Sequence, residues 1–321
     1  MKIKLRQGRY CNLKLLLICL VVYGHLIESR VDESELLLIQ YRLIYMVHMP
    51  LFVFLSGLFM EKERVCFSQA KRVLVIYLIS QFVMIVVKNL EGQKLDFELP
   101  YWHLWYLLSL SCWAAAAGLW HRLKRYFPFI GSRCGKLILL FFAFFGVFLA
   151  KNFAEIGREW SLSRTIAFLP WFLLGMFCPK EICWKKYRGA GVAGAVTAAV
   201  VIYFWGNRIP TGFLYQAAGY QTFRQLTTGD EGIVVTLLCC LLAFSLGIFL
   251  LTMVPERRLP VTKIGVDTLW IYLLHAPFVK LFMKIPWSLP LFPAVAPLAA
   301  VYIICLLYKL FQWRTTVCGI V

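Results

Sequence analysis

Long apolar runs, broken by short polar and basic stretches, repeat along the chain from Leu13 to Phe311. A bilayer core about 30 Å thick takes a helix of roughly 20 apolar residues. Backbone groups in lipid must be satisfied within the segment itself, which a helix does. The pattern therefore predicts an all-α, polytopic integral membrane protein of about ten transmembrane helices. The expected spans are Leu13–Leu26, Leu43–Met60, Val73–Val87, Trp102–Trp120, Leu137–Ala150, Thr165–Cys178, Ala190–Trp205, Ile233–Val254, Asp267–Phe282 and Leu289–Phe311. Several are short for a full crossing, and only the break between Trp205 and Ile233 is long. Little room is left for a soluble domain, so residues 1–321 read as one transmembrane domain.

Charge orders these spans across a bilayer. Of the 34 Lys and Arg residues, 23 fall in alternate loops on one side and 11 on the other, and both termini lie on the richer side. Cytoplasmic loops carry the excess of Lys and Arg, so both termini are expected in the cytoplasm. Acidic residues such as Glu28, Asp32, Glu91, Asp96 and Glu155 take the opposite side. An odd number of spans would break this alternation.

Composition agrees with a bilayer protein. The chain is 61% hydrophobic and 16% charged, whereas soluble domains are about 45–50% apolar and ~25% charged. A net charge of +18 in a soluble protein would suggest nucleic acid. Here the basic residues sit in short loops, which points to the lipid bilayer and away from nucleic acid. Lys2, Lys4, Arg6 and Arg9 before Leu15–Tyr23 look like the start of a signal peptide. No small-residue cleavage site follows, and a retained first span is expected. The eleven cysteines show no paired metal-ligand spacing, and neither disulfides nor a metal is expected.

Ionisable groups at membrane depth are costly and are functional candidates by default. His25 ends the first span, eleven residues after Lys14. That is almost three helical turns, so the two share a face about 16 Å apart along the axis. With Lys14 at the inner surface, His25 stands beyond the midplane, as base or as interfacial anchor. His48 lies early in the second span, on one stripe with Phe52 and Ser56 and beside the helix-weakening Pro50. His103 sits in the interfacial cluster Tyr101-Trp102-His103-Leu104-Trp105-Tyr106. His275 lies about two turns into the ninth span, too deep for an anchor. His121 begins a basic loop and is expected to be solvated. Arg72 opens the third span at the cytoplasmic face, where an anionic nucleotide would find counter-charges.

No phosphate-cradling glycine loop, Gly-x-Ser-x-Gly turn or His-Glu-x-x-His helix occurs. Intramembrane carboxylates are nearly absent, Asp267 being the closest. Ion-coupled transporters use such groups as relays, which weighs against the alternative of a multi-span transporter or flippase for a small solute or lipid-linked sugar.

Several stretches carry a resemblance: Asn12-Leu13-Lys14 leading to Val21-Val22-Tyr23-Gly24-His25, and His48-Met49-Pro50-Leu51-Phe52 running to Ser56-Gly57. Lys71-Arg72, His103-Leu104-Trp105-Tyr106-Leu107, Phe168 to Gly175 and Thr268 to His275 follow in order. On these residues the chain resembles the membrane-bound acyltransferase 3 family, in particular its branch similar to fucose 4-O-acetylases. The resemblance implies a ten-span O-acyltransferase of the cell membrane, with acetyl-CoA (acyl-CoA) as donor and a cell-surface or lipid-linked carbohydrate as acceptor. It places His25 as the catalytic histidine and His48 as its companion. Lys14 and Arg72 would hold the CoA phosphates, although many relatives carry arginine at the first position. Ser56, His103, Trp105 and His275 are expected to line the site.

Overall fold

The structure is a computed structural model and describes residues 2–153, 155–179, 181–223, 229–266, 268–285 and 292–318. The expected span starts at Asp267 and Leu289, and Lys180 and Arg224 of the charge count, lie outside the described residues. Among the described residues there are helices and connecting turns but no strand.

Each of the ten apolar runs falls on a helix. In chain order these are α1 (Lys2–Ile27), α2 (Glu35–Leu58), α3 (Glu63–Leu90) and α4 (Trp105–Tyr126), followed after the one-turn α5 (Pro128–Gly131) by α6 (Arg133–Ala150). Then come α7 (Leu162–Phe177), α8 (Arg188–Trp205), α9 (Gly229–Met253), α10 (Thr268–Met283) and α11 (Phe292–Cys318). The helices overrun the apolar runs because Lys, Arg and Glu are good helix formers, so hydropathy ends before the backbone hydrogen bonds do. Thus α3 begins at Glu63, and Arg72 lies two turns inside it. Likewise α4 continues to Tyr126, so His121 is not a solvated loop residue. It is buried, and its Nε2–H donates to the Met60 carbonyl at 2.8 Å. The helix α2 runs on through Pro50 although that residue has no N–H to donate.

Among the described residues six helical segments are long and apolar enough to cross a membrane: Gly8–Glu33, Glu35–Leu58, Glu63–Leu90, Arg133–Ala150, Trp184–Arg208 and Glu231–Met253. Their outward faces are apolar, as at Ile79 and Phe82 on α3 and Phe141 and Phe142 on α6. In water such faces would be a heavy liability; in lipid they are the required surface. The protein is a membrane protein.

The chain divides into two compact units. The first comprises residues 1–49, 183–207 and 242–321, and the second residues 50–182 and 208–241. In the first unit α1, α10 and α11 pack on one another. In the second, α3 packs on α4, α4 on α7 and α6 on α7. There the end of α2 meets α7 through two glycines: a Cβ on Gly57 would strike the Phe172 carbonyl, and one on Gly175 the Phe54 carbonyl. Small residues let helix backbones approach in this way without a hydrophobic drive between them.

Buried polar groups in the second unit serve its architecture. Gln81 of α3 is fully buried and ties down the segment leading to α4. Its Nε2 donates to the carbonyls of Asp96 (2.8 Å) and Leu99 (3.0 Å), and its Oε1 accepts from the Tyr101 N–H at 2.8 Å. Ser109 of α4 meets the hydroxyls of Ser161 (3.1 Å) and Thr165 (2.7 Å), and the Trp113 indole donates to the Thr165 carbonyl at 2.9 Å.

Candidate functional site

The first unit holds a cluster of titratable side chains. His25 occupies the last turn of α1, and the chain then tightens into a 3-10 turn, Glu28–Glu33. A helical residue three positions on lies on the same face, and the turn keeps Glu28 there. Glu28 Oε2 is 3.0 Å from His25 Nδ1. The chain returns along α2, which brings the Tyr45 hydroxyl to 3.0 Å from the same Nδ1 and 3.1 Å from the same carboxylate oxygen. A carboxylate only accepts, so the Tyr45 hydroxyl and His25 Nδ1–H both donate to Glu28. That pattern assigns the Nδ1–H tautomer and puts the His25 lone pair on Nε2.

Two further imidazoles complete the cluster. His275 of α10 stacks on His25 with ring centroids 5.5 Å apart and planes at 17°. His48 packs edge-on against Tyr45 at 4.8 Å, and Tyr45 stacks on Tyr41 at 4.1 Å. Each of these two histidines directs Nδ1–H to a carbonyl of its own helix: His48 to Ile44 at 2.7 Å and His275 to Tyr272 at 2.7 Å. His25 differs in having a carboxylate at Nδ1. Exposure separates them further. The His25 side chain is 13% exposed and Glu28 27%, whereas His48 is 4% and His275 0%. The imidazole with the acid partner is also the most exposed of the three.

This arrangement suits general-base chemistry. A carboxylate on Nδ1–H fixes the ring and its tautomer and offsets the charge that develops when Nε2 takes a proton. Lys14 lies half-buried on the same helix, eleven residues before His25 and so about 16 Å away along the axis.

The remaining candidates belong to the second unit. Ser56 donates to the Phe52 carbonyl at 3.0 Å and accepts from the Tyr106 hydroxyl at 2.6 Å. Trp105 stacks on Phe168 at 5.3 Å, with the Arg164 guanidinium 5.0 Å from its ring. His103 is buried with Tyr101 and Trp102 edge-on to it, each at 5.9 Å. Arg72 is exposed on α3.

Glu28 and Tyr45 were not singled out from the sequence. The signal for Glu28 was present as the His25-x-x-Glu28 spacing, but its position just beyond an apolar run made it look like one more outer-loop acid. Tyr45 had no comparable signal, since an aromatic in an apolar span reads as packing.

A family model described as an acyltransferase domain, of the acyltransferase 3 type, matches residues 12–310 and thus runs through both units. No curated protein and no solved structure matches the chain.

Proposed function

The chain belongs to the acyltransferase 3 family and is a membrane acyltransferase, and we propose that it is an O-acetyltransferase moving the acetyl group of acetyl-CoA to a hydroxyl of a cell-surface or lipid-linked carbohydrate. The observation that carries this reading is the contact of His25 with Glu28 and Tyr45. Ester formation needs a base for the hydroxyl proton, and neutral imidazole suits that near physiological pH.

In this reading the donor thioester supplies the electrophilic carbonyl. His25 takes the hydroxyl proton at Nε2 while Glu28 and Tyr45 hold the ring through Nδ1. The C–O bond forms as the C–S bond breaks, and His25 returns the proton to the departing thiolate. His48 and His275 buttress the base by packing: His275 stacks on its ring, and His48 backs the tyrosine that holds it. Lys14, on the helix of the base, is the cation assigned to the donor phosphates. The resemblance of the His48 to Gly57 block favours the branch similar to fucose 4-O-acetylases.

The loop charges support ten spans in the cell membrane with both termini cytoplasmic. Donor and acceptor then enter from opposite faces, since His25 stands about 16 Å beyond Lys14 in a core about 30 Å thick. Mass spectrometry of surface glycans from a deletion strain and its parent tests the function. Loss of an acetyl ester on deletion, restored by the intact gene but not by His25→Ala, is the expected result. Unchanged glycans together with lost uptake of a solute would overturn it.

A further inference from the structure

The loop between α9 and α10 is fastened to α1 by buried bonds while its cations face outward. Asn12 of α1 is 7% exposed and uses its whole amide. Its Nδ2 donates to the carbonyls of Pro255 (3.0 Å) and Arg257 (2.9 Å), and its Oδ1 accepts from the Thr262 hydroxyl at 2.5 Å. The Thr262 oxygen in turn accepts the Leu259 N–H at 2.6 Å. Behind the loop Gly265 lies so near the Cys11 carbonyl that a Cβ would collide with it. The backbone from 255 to 265 is therefore fixed in place before any ligand arrives.

Charge in this loop is arranged for an anion. Glu256 is the one acid between Pro255 and Lys263, and it is engaged from outside the loop by the buried Arg9 at 2.5 Å. Arg257, Arg258 and Lys263 are exposed, and the loop's acid between Pro255 and Lys263 is taken up by Arg9. Among the described residues no hydrogen bond or ion pair engages the guanidinium of Arg257 or Arg258. The preference of cytoplasmic loops for Lys and Arg needs only their presence. It does not require a buried asparagine to fix their backbone, nor a buried arginine to withdraw the local acid.

We infer that Arg257, Arg258 and Lys263 form a binding site for phosphate esters, with Asn12 as its positioning residue, and that the ligand is the phosphorylated head of the acyl-CoA donor. The inference rests on the donor proposed above. Guanidinium forks recognise phosphate bidentately. The helix that anchors the loop also carries the base: Asn12 and His25 are thirteen residues apart on α1, about 20 Å along its axis. The helix that follows the loop, α10, carries His275 of the same cluster. A cofactor whose charged head and reactive thioester are separated by a long arm matches two sites spaced in this way, whereas inorganic phosphate does not.

The test is equilibrium binding of coenzyme A to the full-length protein in zwitterionic lipid nanodiscs. The double variant Arg257→Gln/Arg258→Gln should weaken binding at least about tenfold, the scale of one or more lost charge-assisted bonds. Arg188→Gln, an exposed arginine at the start of α8, should leave binding unchanged. Asn12→Ala should weaken binding in the wild-type background and add little to the double variant, because it acts through those arginines. Equal binding by the wild type and the double variant overturns the loop site while leaving the donor intact. A wild type that binds no coenzyme A removes the donor itself, and the site with it. Arginine-dependent retention of phosphatidylglycerol without coenzyme A binding reassigns the loop to a lipid headgroup and overturns the cofactor assignment.

Discussion

In the first unit His25, Glu28, Tyr45 and His275 turn their polar or aromatic faces toward one another, whereas in the second Gln81, Ser109, Thr165 and Trp113 turn theirs toward backbone carbonyls and neighbouring hydroxyls. Both arrangements satisfy buried polar groups. The second uses neutral groups whose bonds are complete within the fold, which fixes helix ends and loops. The first gathers titratable groups and leaves His25 and Glu28 within reach of solvent. Burial of a polar residue is therefore a poor guide to function, and the identity of its partner is a better one.

Substitutions should separate the two regions, beginning with the largest effect. His25→Ala should reduce acyl transfer by about 10²–10⁴-fold, the range of general acid–base catalysis, with membrane insertion near normal. Transfer assays in vesicles containing matched amounts of protein measure this, and near-parental activity would remove His25 as base. Glu28→Gln keeps the shape and removes the charge. It should lower kcat by about tenfold or more but by less than loss of the base itself, with little change in thermal stability.

The second unit should respond in the opposite sense. Gln81→Ala leaves three backbone groups without their partner and should cost about 1–3 kcal/mol of stability, read as a lower Tm in detergent with transfer per folded molecule retained. His121→Ala removes one buried bond to Met60, and its cost should be near 1 kcal/mol. A loss of catalysis in either variant without a loss of stability would erase the contrast between the regions.

The smallest effect concerns Lys151, just past α6. It is 3% exposed, with its Nζ 4.0 Å from the Phe213 ring centroid, and burial pushes its amine down to about 8. The folded state thus binds fewer protons than the unfolded chain, whose lysine titrates near 10.5. The destabilisation is full below about pH 8 and is relieved as pH rises toward 10.5, so stability should climb across that window. Lys151→Met should flatten the climb in a Tm-against-pH series, and an unchanged slope would show that other groups set it.

The apolar runs located the long helices among the described residues, six of them long and apolar enough to cross a membrane, because an apolar helix is written in consecutive residues and needs no distant partner. Their ends were less legible: the start of α3 at Glu63 and the depth of His121 in α4 depend on charged residues that hydropathy counts as loop. The histidines were visible as costly residues in apolar surroundings, and the Asn12-Leu13-Lys14 and His48 to Gly57 blocks led to the family. The His25-x-x-Glu28 spacing did not by itself decide which imidazole would receive an acid, since Glu28 reads as one more outer-loop carboxylate. That choice was made by the 3-10 turn after α1, which folds Glu28 back, and by the return of α2, which brings Tyr45 from twenty residues away. The binding of the α9–α10 loop to Asn12 was equally hidden, because it joins positions some 240 residues apart. Sequence determines which segments enter the bilayer, since transfer free energy is summed residue by residue. Tertiary structure alone decides which polar groups meet there, because a hydrogen bond depends on a separation of about 3 Å between atoms that the chain order leaves far apart.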